Sequence, residues 1–330
     1  MAQGSTGKDM RDRNPPAAAL LRVLHRGVLL GSSCWLLLCA LRVLRERSLE
    51  VRSIRIFLSP FCSEPPLALS FCSVACRSSV LSAAQREKGL GIREAEVEVT
   101  ERVPIQRVQS GKVESVEDTL VVETNVAIEL CGDDLIRTVC SPGQLREWAI
   151  GYLFSEGLIA RPGDVEEIRE SDGLFSIELA ESAPTKPPPL APVASELTLG
   201  LQQLLALAEE VAERADVFYR TGGTHAMAIA NEKNIVSLVE DISRTCALEK
   251  ALGIALLQRT DFTSSLAFLS SRVPSRMIAK LARCGIPIVT AVSAPTIDAV
   301  RLAEALNVCL CGFVRGERLN VYAHGWRVGL

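Results

Sequence analysis

No Cys-x-x-Cys pair occurs anywhere in the 330 residues, although eleven cysteines are present. That spacing makes half of most zinc and dithiol sites, so its absence argues against both. A basic excess is missing too. With 36 Lys and Arg against 39 Asp and Glu, the net charge of −3 excludes a broadly basic nucleic-acid binder. The one long apolar run near the N-terminus, residues 28–41 between Arg26 and Arg42, falls short of the about 20 residues that a spanning helix needs. Histidine is scarce, with three in the whole chain.

What is present is enough for a sizeable core: 48% of residues are hydrophobic and 23% charged, and the length suits about two domains. The ends differ sharply. Up to Arg86 there are twelve basic and five acidic residues, and five cysteines scattered among Ser, Leu and Arg without helical or strand period. The basic flank of the apolar run would suit a secretory signal, but the stretch after it offers no evident small-residue cleavage site. Residues 1–96 therefore read as a poorly structured extension, the product of an upstream start in the gene model.

From Val97 the pattern becomes orderly. Residues 120–130 alternate in their second half, Gly132-Asp133-Asp134 makes a turn, and residues 135–139 return, which predicts a β-hairpin with one face buried. Ser141-Pro142-Gly143-Gln144 resembles a capping box, so a helix is expected there, with Leu145, Trp148, Ala149, Tyr152 and Leu153 on its core face and Gly157 closing it. Residues 97–182 form a β-hairpin and helix subdomain. Five prolines between Ala183 and Pro192 then make residues 183–195 an exposed linker, incompatible with helix or central strand.

Residues 196–330 read as an α/β core. An amphipathic helix begins at Leu201 and ends near Asp216. Strands are expected at 217–219, 226–230, 235–239, 266–269, 286–292, 308–314 and 319–323, and helices at 246–258, 275–283 and 296–306. Alternation of strand and helix across 266–314 requires parallel pairing through crossovers.

Polar motifs follow five of these strands: Thr221-Gly222-Gly223-Thr224-His225, Glu240-Asp241, Ser270-Ser271-Arg272, Ser293-Ala294-Pro295-Thr296 and Arg315-Gly316-Glu317-Arg318. Carboxyl ends of strands in open α/β sheets face the ligand crevice, so the five suggest one shared cleft. The Gly pair lets backbone N–H groups approach an anion, Thr221 and Thr224 add hydroxyls, and Arg272, Arg315 and Arg318 can grip phosphate in two-pronged fashion. A phosphorylated or nucleotide-like ligand suits that donor set. His225, beside the Gly pair, could donate to phosphate or act as general acid or base, or could simply hold the loop.

Taken in order, Gly151-Tyr152-Leu153-Phe154-Ser155-Glu156-Gly157, Thr221 to Ala226, Glu240-Asp241 with Arg244, Ala247 and Lys250, Gly285-Ile286-Pro287, Ser293 to Thr296, and Gly312 to Gly316 through Asn320-Val321-Tyr322 resemble the formate dehydrogenase accessory sulfurtransferases, the FdhD/NarQ family. The resemblance spans roughly residues 97–323. It implies a cytoplasmic, homodimeric protein with a three-layer α/β/α core resembling cytidine deaminase. It also implies binding of the molybdenum cofactor in its guanine dinucleotide form as client ligand, and delivery of sulfur drawn from a cysteine desulfurase so that formate dehydrogenase becomes active. The stretch matching the family's cofactor-binding segment is Phe313, Val314, Arg315, Gly316, Glu317 and Arg318. No nucleic acid, zinc or membrane span is implied.

The chain departs from the family at the sulfur itself. The family's Cys-Gly-x-Cys-Gly loop would fall where this chain has its prolines, and no cysteine lies between Cys140 and Cys246. The usual Gly-Arg-His-Asn-Ala reads Ser243-Arg244-Thr245-Cys246-Ala247, and Ser-Gly-Arg reads Ser270-Ser271-Arg272. Cys246, near a helix N-terminus that would lower a thiol pKa, is the candidate substitute nucleophile; the competing reading is a small buried residue. Cys309 and Cys311 share one strand face and read as core, while Cys131, Cys140 and Cys284 have no partner at metal spacing. A zinc deaminase is disfavoured, because His225 is followed by Ala226-Met227 and its Pro-Cys-x-x-Cys is missing. Two functional classes remain: a sulfurtransferase working through a displaced cysteine, and a non-catalytic cofactor-binding chaperone.

Overall fold

The computed structural model describes residues 98–330. The expectations for the N-terminal extension and its apolar run lie outside the described residues. The described chain begins with a two-stranded hairpin, β1 (Thr100–Gln109) and β2 (Lys112–Val121), paired from Thr100–Val121 to Gln109–Lys112. The hairpin anticipated in sequence follows as β3 (Thr124–Leu130) and β4 (Asp133–Cys140). Cys131 and Gly132 form its two-residue turn with φ of 50° and 87°, the left-handed geometry that such a tight connection requires.

Helix α1 (Leu145–Glu156) comes next, then β5 (Val165–Ser171) and β6 (Leu174–Leu179). Ser141 does not cap α1. The helix starts later, behind Gln144 at φ 50° with no side-chain cap, because the Ser141 hydroxyl is taken by the Ile242 amide at 3.2 Å. Gly157 closes α1 as expected, at φ 77° with its amide on the Phe154 carbonyl. Strand β6 adds parallel to β3 and antiparallel to β5, giving a four-stranded sheet in the order β4-β3-β6-β5. The sequence pattern predicts no strand at β1, β5 or β6, nor over residues 112–119 of β2. In β1, β2 and β5 the exposed, charge-rich positions dilute the period-2 signal.

Residues 187–200 carry no helix or strand. This stretch is mostly exposed but anchored at Val193, 4% exposed, whose amide donates to the Leu306 carbonyl at 2.8 Å. After it come α2 (Leu201–Arg214), α3 (Asp216–Thr221), β7 (His225–Asn231), β8 (Ile235–Asp241), α4 (Arg244–Leu257), β9 (Ser265–Leu269), α5 (Ser275–Arg283), β10 (Ile288–Ala291), α6 (Ile297–Ala305), β11 (Cys309–Arg315) and β12 (Arg318–Ala323). The strand expected at 217–219 is instead helix α3: the amides of Val217 and Phe218 donate to the Glu240 carboxylate, and that anion at the helix start fixes the turn as helical.

The main sheet has six strands in the order β12-β11-β10-β9-β7-β8, with β9, β10 and β11 parallel and β7 antiparallel to β9. Alternate residues feed two cores. Met227, Ile229, Leu269, Val289 and Leu310 pack with α1, α4, α5 and α6. Ala228, Phe268, Ile288, Cys309 and Cys311 pack with α2. The result is helix, sheet, helix, as expected for an α/β protein. Among the described residues no helix is long and apolar enough to cross a membrane.

Helices α1 and α4 cross in near-contact. A Cβ at Gly151 would lie 1.8 Å from the Glu249 carbonyl oxygen, and one at Gly253 would lie 1.9 Å from that of Glu147. Both obstacles are backbone of the opposite helix, so neither can swing aside. Gly253→Ala should therefore destabilise the fold by about 3 kcal/mol, whereas Gly163→Ala, with nothing within 4 Å, should stay within about 0.5 kcal/mol in urea unfolding. Equal stabilities for the two variants would refute the close crossing.

Candidate functional site

All five polar motifs stand on one rim of the six-stranded sheet, although the reason for one of them differs from expectation. Thr221 to Thr224 does not follow a strand; it enters β7. Because β7 runs antiparallel to β9, its first residue sits at the same edge as the last residues of β8, β9, β10 and β11, with His225 opposite Asp241 and Met227 opposite Leu269. Arg318 opens β12 across from Arg315 on that edge. Two loops of the rim are laced together: Val273 donates to the Ala294 carbonyl at 3.1 Å, and Thr296 donates to the Val273 carbonyl at 3.0 Å. Strand β11 presses against them, since a Cβ at Gly312 would meet Pro295 Cδ and the Ser293 carbonyl at 3.1 Å.

The Thr-Gly-Gly-Thr turn is shaped by its own donors. The Gly222 amide closes α3 on the Phe218 carbonyl at 2.7 Å, and the Gly223 amide donates to Thr221 Oγ1 at 3.1 Å. The Thr221 hydroxyl donates to the Val217 carbonyl and that of Thr224 to Glu240 Oε1, at 2.7 and 3.2 Å. The amides of the two glycines and both hydroxyl protons are thus spent inside the fold. What the turn offers a ligand is a surface without side chains at exposed Gly222 and Gly223. Glu240 organises this region by accepting from Val217, Phe218 and Thr224, a role that nothing in the local sequence signals.

The cations are differently placed. Arg244, Arg272, Arg315 and Arg318 are exposed, and among the described residues none of them forms an ion pair. Arg315 and Arg318 face one another across the Gly316-Glu317 turn. Like charges directly opposed on paired strands are destabilising, and a bound anion relieves that repulsion. Phe313, half-buried, holds φ 55°, a left-handed backbone that costs a bulky residue about 1–2 kcal/mol and tilts the strand end toward Ser293. Val314 does not join this surface. It is 6% exposed because the irregularity between Gly312 and Arg315, with Phe313 at φ 55°, breaks the alternation and turns Val314 to the same α2-side core as Cys309 and Cys311.

His225 is half-buried, with Nδ1 3.4 Å from Ser270 Oγ, which itself accepts from the Ala226 amide. Burial holds its pKa below the ordinary histidine value, the charge of Arg244 acts in the same direction, and Asp241 opposes them. The ring is therefore neutral at pH 7, suited to accept a proton or a hydrogen bond. Behind the rim, fully buried Asp241 pairs with Lys250 at 2.7 Å and accepts from the amides of Ser141 and Ser243.

For Cys246 the structure bears out the reading of a small buried residue at a helix start rather than that of an accessible nucleophile. It lies in the first turn of α4, its amide on Ser243 Oγ, but it is 2% exposed and faces Cys140. The helix start turns that position inward against the end of β4, away from solvent. Cys309 and Cys311 are core, as read from their alternation, with sulfurs 3.8 Å apart. Cys131 is the exposed thiol among the described residues. Among those residues no group of three His, Cys, Asp or Glu could hold a metal ion.

The comparisons with known proteins agree with one another. The family model described as the FdhD/NarQ family matches residues 121–189 and 182–329. A protein of Bacillus subtilis (strain 168) named sulfur carrier protein FdhD is 29% identical over 250 residues, covering 68% of this chain and 95% of that protein. One of the same name from Anaeromyxobacter dehalogenans (strain 2CP-C) is 34% identical over 266 residues, covering 66% and 90%. A crystal structure described as a candidate formate dehydrogenase accessory protein from Desulfotalea psychrophila superposes with a TM-score of 0.62 at 24% identity, covering 70% of this chain and 100% of that one. That last likeness concerns the fold.

The position of Arg244 beside His225 gives a direct test. Arg244→Ala should move the His225 titration upward toward the ordinary histidine value, read from its imidazole signals by NMR. An unchanged midpoint would show that the guanidinium does not act on the ring.

Proposed function

The chain belongs to the FdhD/NarQ family, and from that premise we propose that it is a formate dehydrogenase accessory protein whose rim binds the molybdenum cofactor in its guanine dinucleotide form. The single observation that carries the ligand reading is the set of arginines along one sheet edge that lack ion pairs within the described chain, Arg315 and Arg318 foremost. A pyrophosphate between two opposed guanidinium groups relieves their repulsion and accepts two-pronged hydrogen bonds. Arg272 adds charge from the neighbouring loop, and the bare Gly222-Gly223 surface lets a flat ring or a sugar approach. The half-buried side of Phe313 supplies apolar contact. His225, neutral, accepts from the ligand or takes a proton from it.

The family's work is sulfur delivery, and the named relatives are sulfur carriers. In this chain the acceptor for sulfur drawn from a cysteine desulfurase would be Cys246, whose thiol is shifted toward the reactive thiolate by its hydrogen bond with Cys140. Sulfur transfer at that position requires the first turn of α4 to open, since the thiol is sealed. The seal is the specific observation that favours a second reading: a cofactor-binding chaperone that holds the dinucleotide without passing sulfur. In either case we place the protein in the cytoplasm, as a homodimer, serving formate dehydrogenase.

Two measurements decide. Arg315→Ala and Arg318→Ala should each weaken guanine nucleotide binding about tenfold or more by calorimetry; unchanged affinity in both removes the rim as the site. After incubation with a cysteine desulfurase and cysteine, a mass gain of about 32 Da on Cys246 establishes the carrier, and its absence alongside intact nucleotide binding establishes the chaperone.

A further inference from the structure

The proline run takes no part in the rim, yet it is held at both ends. On one side the Ala183 amide donates to the Ala180 carbonyl and the Ala180 amide to that of Asp164, each at 2.9 Å. On the other the Val193 amide donates to the Leu306 carbonyl at 2.8 Å, and Asn307 Nδ2 donates to the Val193 carbonyl at 3.0 Å. Between these anchors residues 185–192 are all exposed, and none of residues 184–192 makes a backbone–backbone hydrogen bond among the described residues.

The sequence dictates the backbone of that span. Pro184, Pro187, Pro188, Pro189 and Pro192 have φ fixed near about −65°, and the residue before each is pushed to extended or polyproline II geometry. Polyproline II has no internal hydrogen bonds and a solvated backbone, which matches the bonding found here. Its three residues per turn align Lys186, Pro189 and Pro192 on one edge. Pro188, on another edge, lies against the end of α1: a Cβ at Gly157 would be 3.1 Å from its Cδ. Lys186 is exposed, is the one charged residue between Glu181 and Glu196, and forms no ion pair among the described residues.

We propose that residues 186–192, Lys186-Pro187-Pro188-Pro189-Leu190-Ala191-Pro192, are the docking ligand for a protein module of the SH3 type. Its shallow groove of aromatic side chains takes Pro189 and Pro192, and a carboxylate at the end of the groove takes Lys186. The inference rests neither on what the rim binds nor on sulfur transfer. Anchoring at Ala183 and Val193 limits the ordering entropy that such a peptide loses on binding. Spacing selects among modules that read proline: a cation followed by Pro-x-x-Pro at the third position suits an SH3 groove. A WW groove wants a tyrosine close behind the prolines, and the three tyrosines of the chain stand at 152, 219 and 322.

The test titrates the full-length protein into an isotope-labelled SH3 domain that prefers a cation three residues before Pro-x-x-Pro, followed by NMR. Signals of the groove aromatics should shift and saturate. Pro189→Ala and Pro192→Ala should each weaken binding about tenfold or more, and Lys186→Ala should weaken it and flatten its dependence on salt. No saturable shift up to about 1 mM protein, or shifts confined to surfaces outside the groove, overturns the proposal. So does binding that survives the paired Pro189→Ala and Pro192→Ala changes, or a WW domain that binds as tightly. A dimer of the parent that dissociates in Pro189→Ala by sedimentation also overturns it, since the run would then belong to an interface with a second copy.

Discussion

The ion pair between Asp241 and Lys250, both essentially without solvent exposure, is the point at which the protein's parts are joined. Asp241 ends β8, Lys250 lies one and a half turns into α4, and both bond the backbone of Ser141, the residue that leaves β4. One buried contact thus ties the four-stranded sheet, the six-stranded sheet and the helix between β8 and β9. A buried pair of this kind adds little net stability over apolar residues of the same shape, but losing one partner leaves a bare charge in the interior, a penalty of about 3–5 kcal/mol. Its effect is to specify the arrangement rather than merely strengthen it, because only one placement of β4 satisfies both charges. The Gly151–Gly253 crossing serves the same end by letting α1 lie close enough on α4 for Ser141 to reach that pair.

Everything on the rim inherits its position from this joint. Asp241 stands opposite His225, Glu240 beside it clamps the turn leading into β7, and Ser243 caps the helix that carries Arg244 and Cys246. A second buried cluster holds the far side: Lys280 lies 2.9 Å from Glu249 Oε1 and 2.8 Å from Glu156, while Trp148 donates to Glu249 Oε2. Burial works to raise the Glu156 pKa, but hydrogen bonds from Lys280 and Arg276 outweigh it and hold the carboxyl ionised. Asp241 with Lys250, and Glu156 and Glu249 with Lys280, are thus matched inside the molecule, whereas Arg244, Arg272, Arg315 and Arg318 stand together on the exposed rim without an ion pair among the described residues. That grouping, rather than any single motif, is what the proposed anion site rests on.

Much of the main sheet was legible in the sequence because its strands are short apolar runs bounded by Gly, Pro and Ser. Helix α5 was expected and found at 275–283, and β9 to β11 pair in parallel as their alternation with helices required. The turn at Thr221 was located correctly on the rim but for a different reason, since Val217 to Tyr219 are apolar yet helical. Their backbone is set by Glu240, twenty residues on, which no local window includes. Strands β1, β5 and most of β2 went unassigned because their positions are largely exposed and charge-rich, leaving no clean alternation; β6, whose Phe175 and Ile177 do alternate into the core, went unassigned as well.

By itself the sequence determined which residue types line the carboxyl edges of the strands, and that strands alternate with helices so that β9 to β11 pair in parallel. Those properties depend on periodicity and composition, which are local; the three-layer cover and the loss of the family's cysteine loop were legible only through the family resemblance. Only the tertiary structure decided that the Gly-Gly amides and Thr hydroxyls are engaged internally, that Val314 points into the core, and that Cys246 is sealed against Cys140. Such outcomes depend on which distant groups arrive at a given atom. Hydrogen-bonding capacity is exhausted by the nearest partner in space, and spatial nearness across a hundred residues is set by packing, not by the pattern of neighbours along the chain.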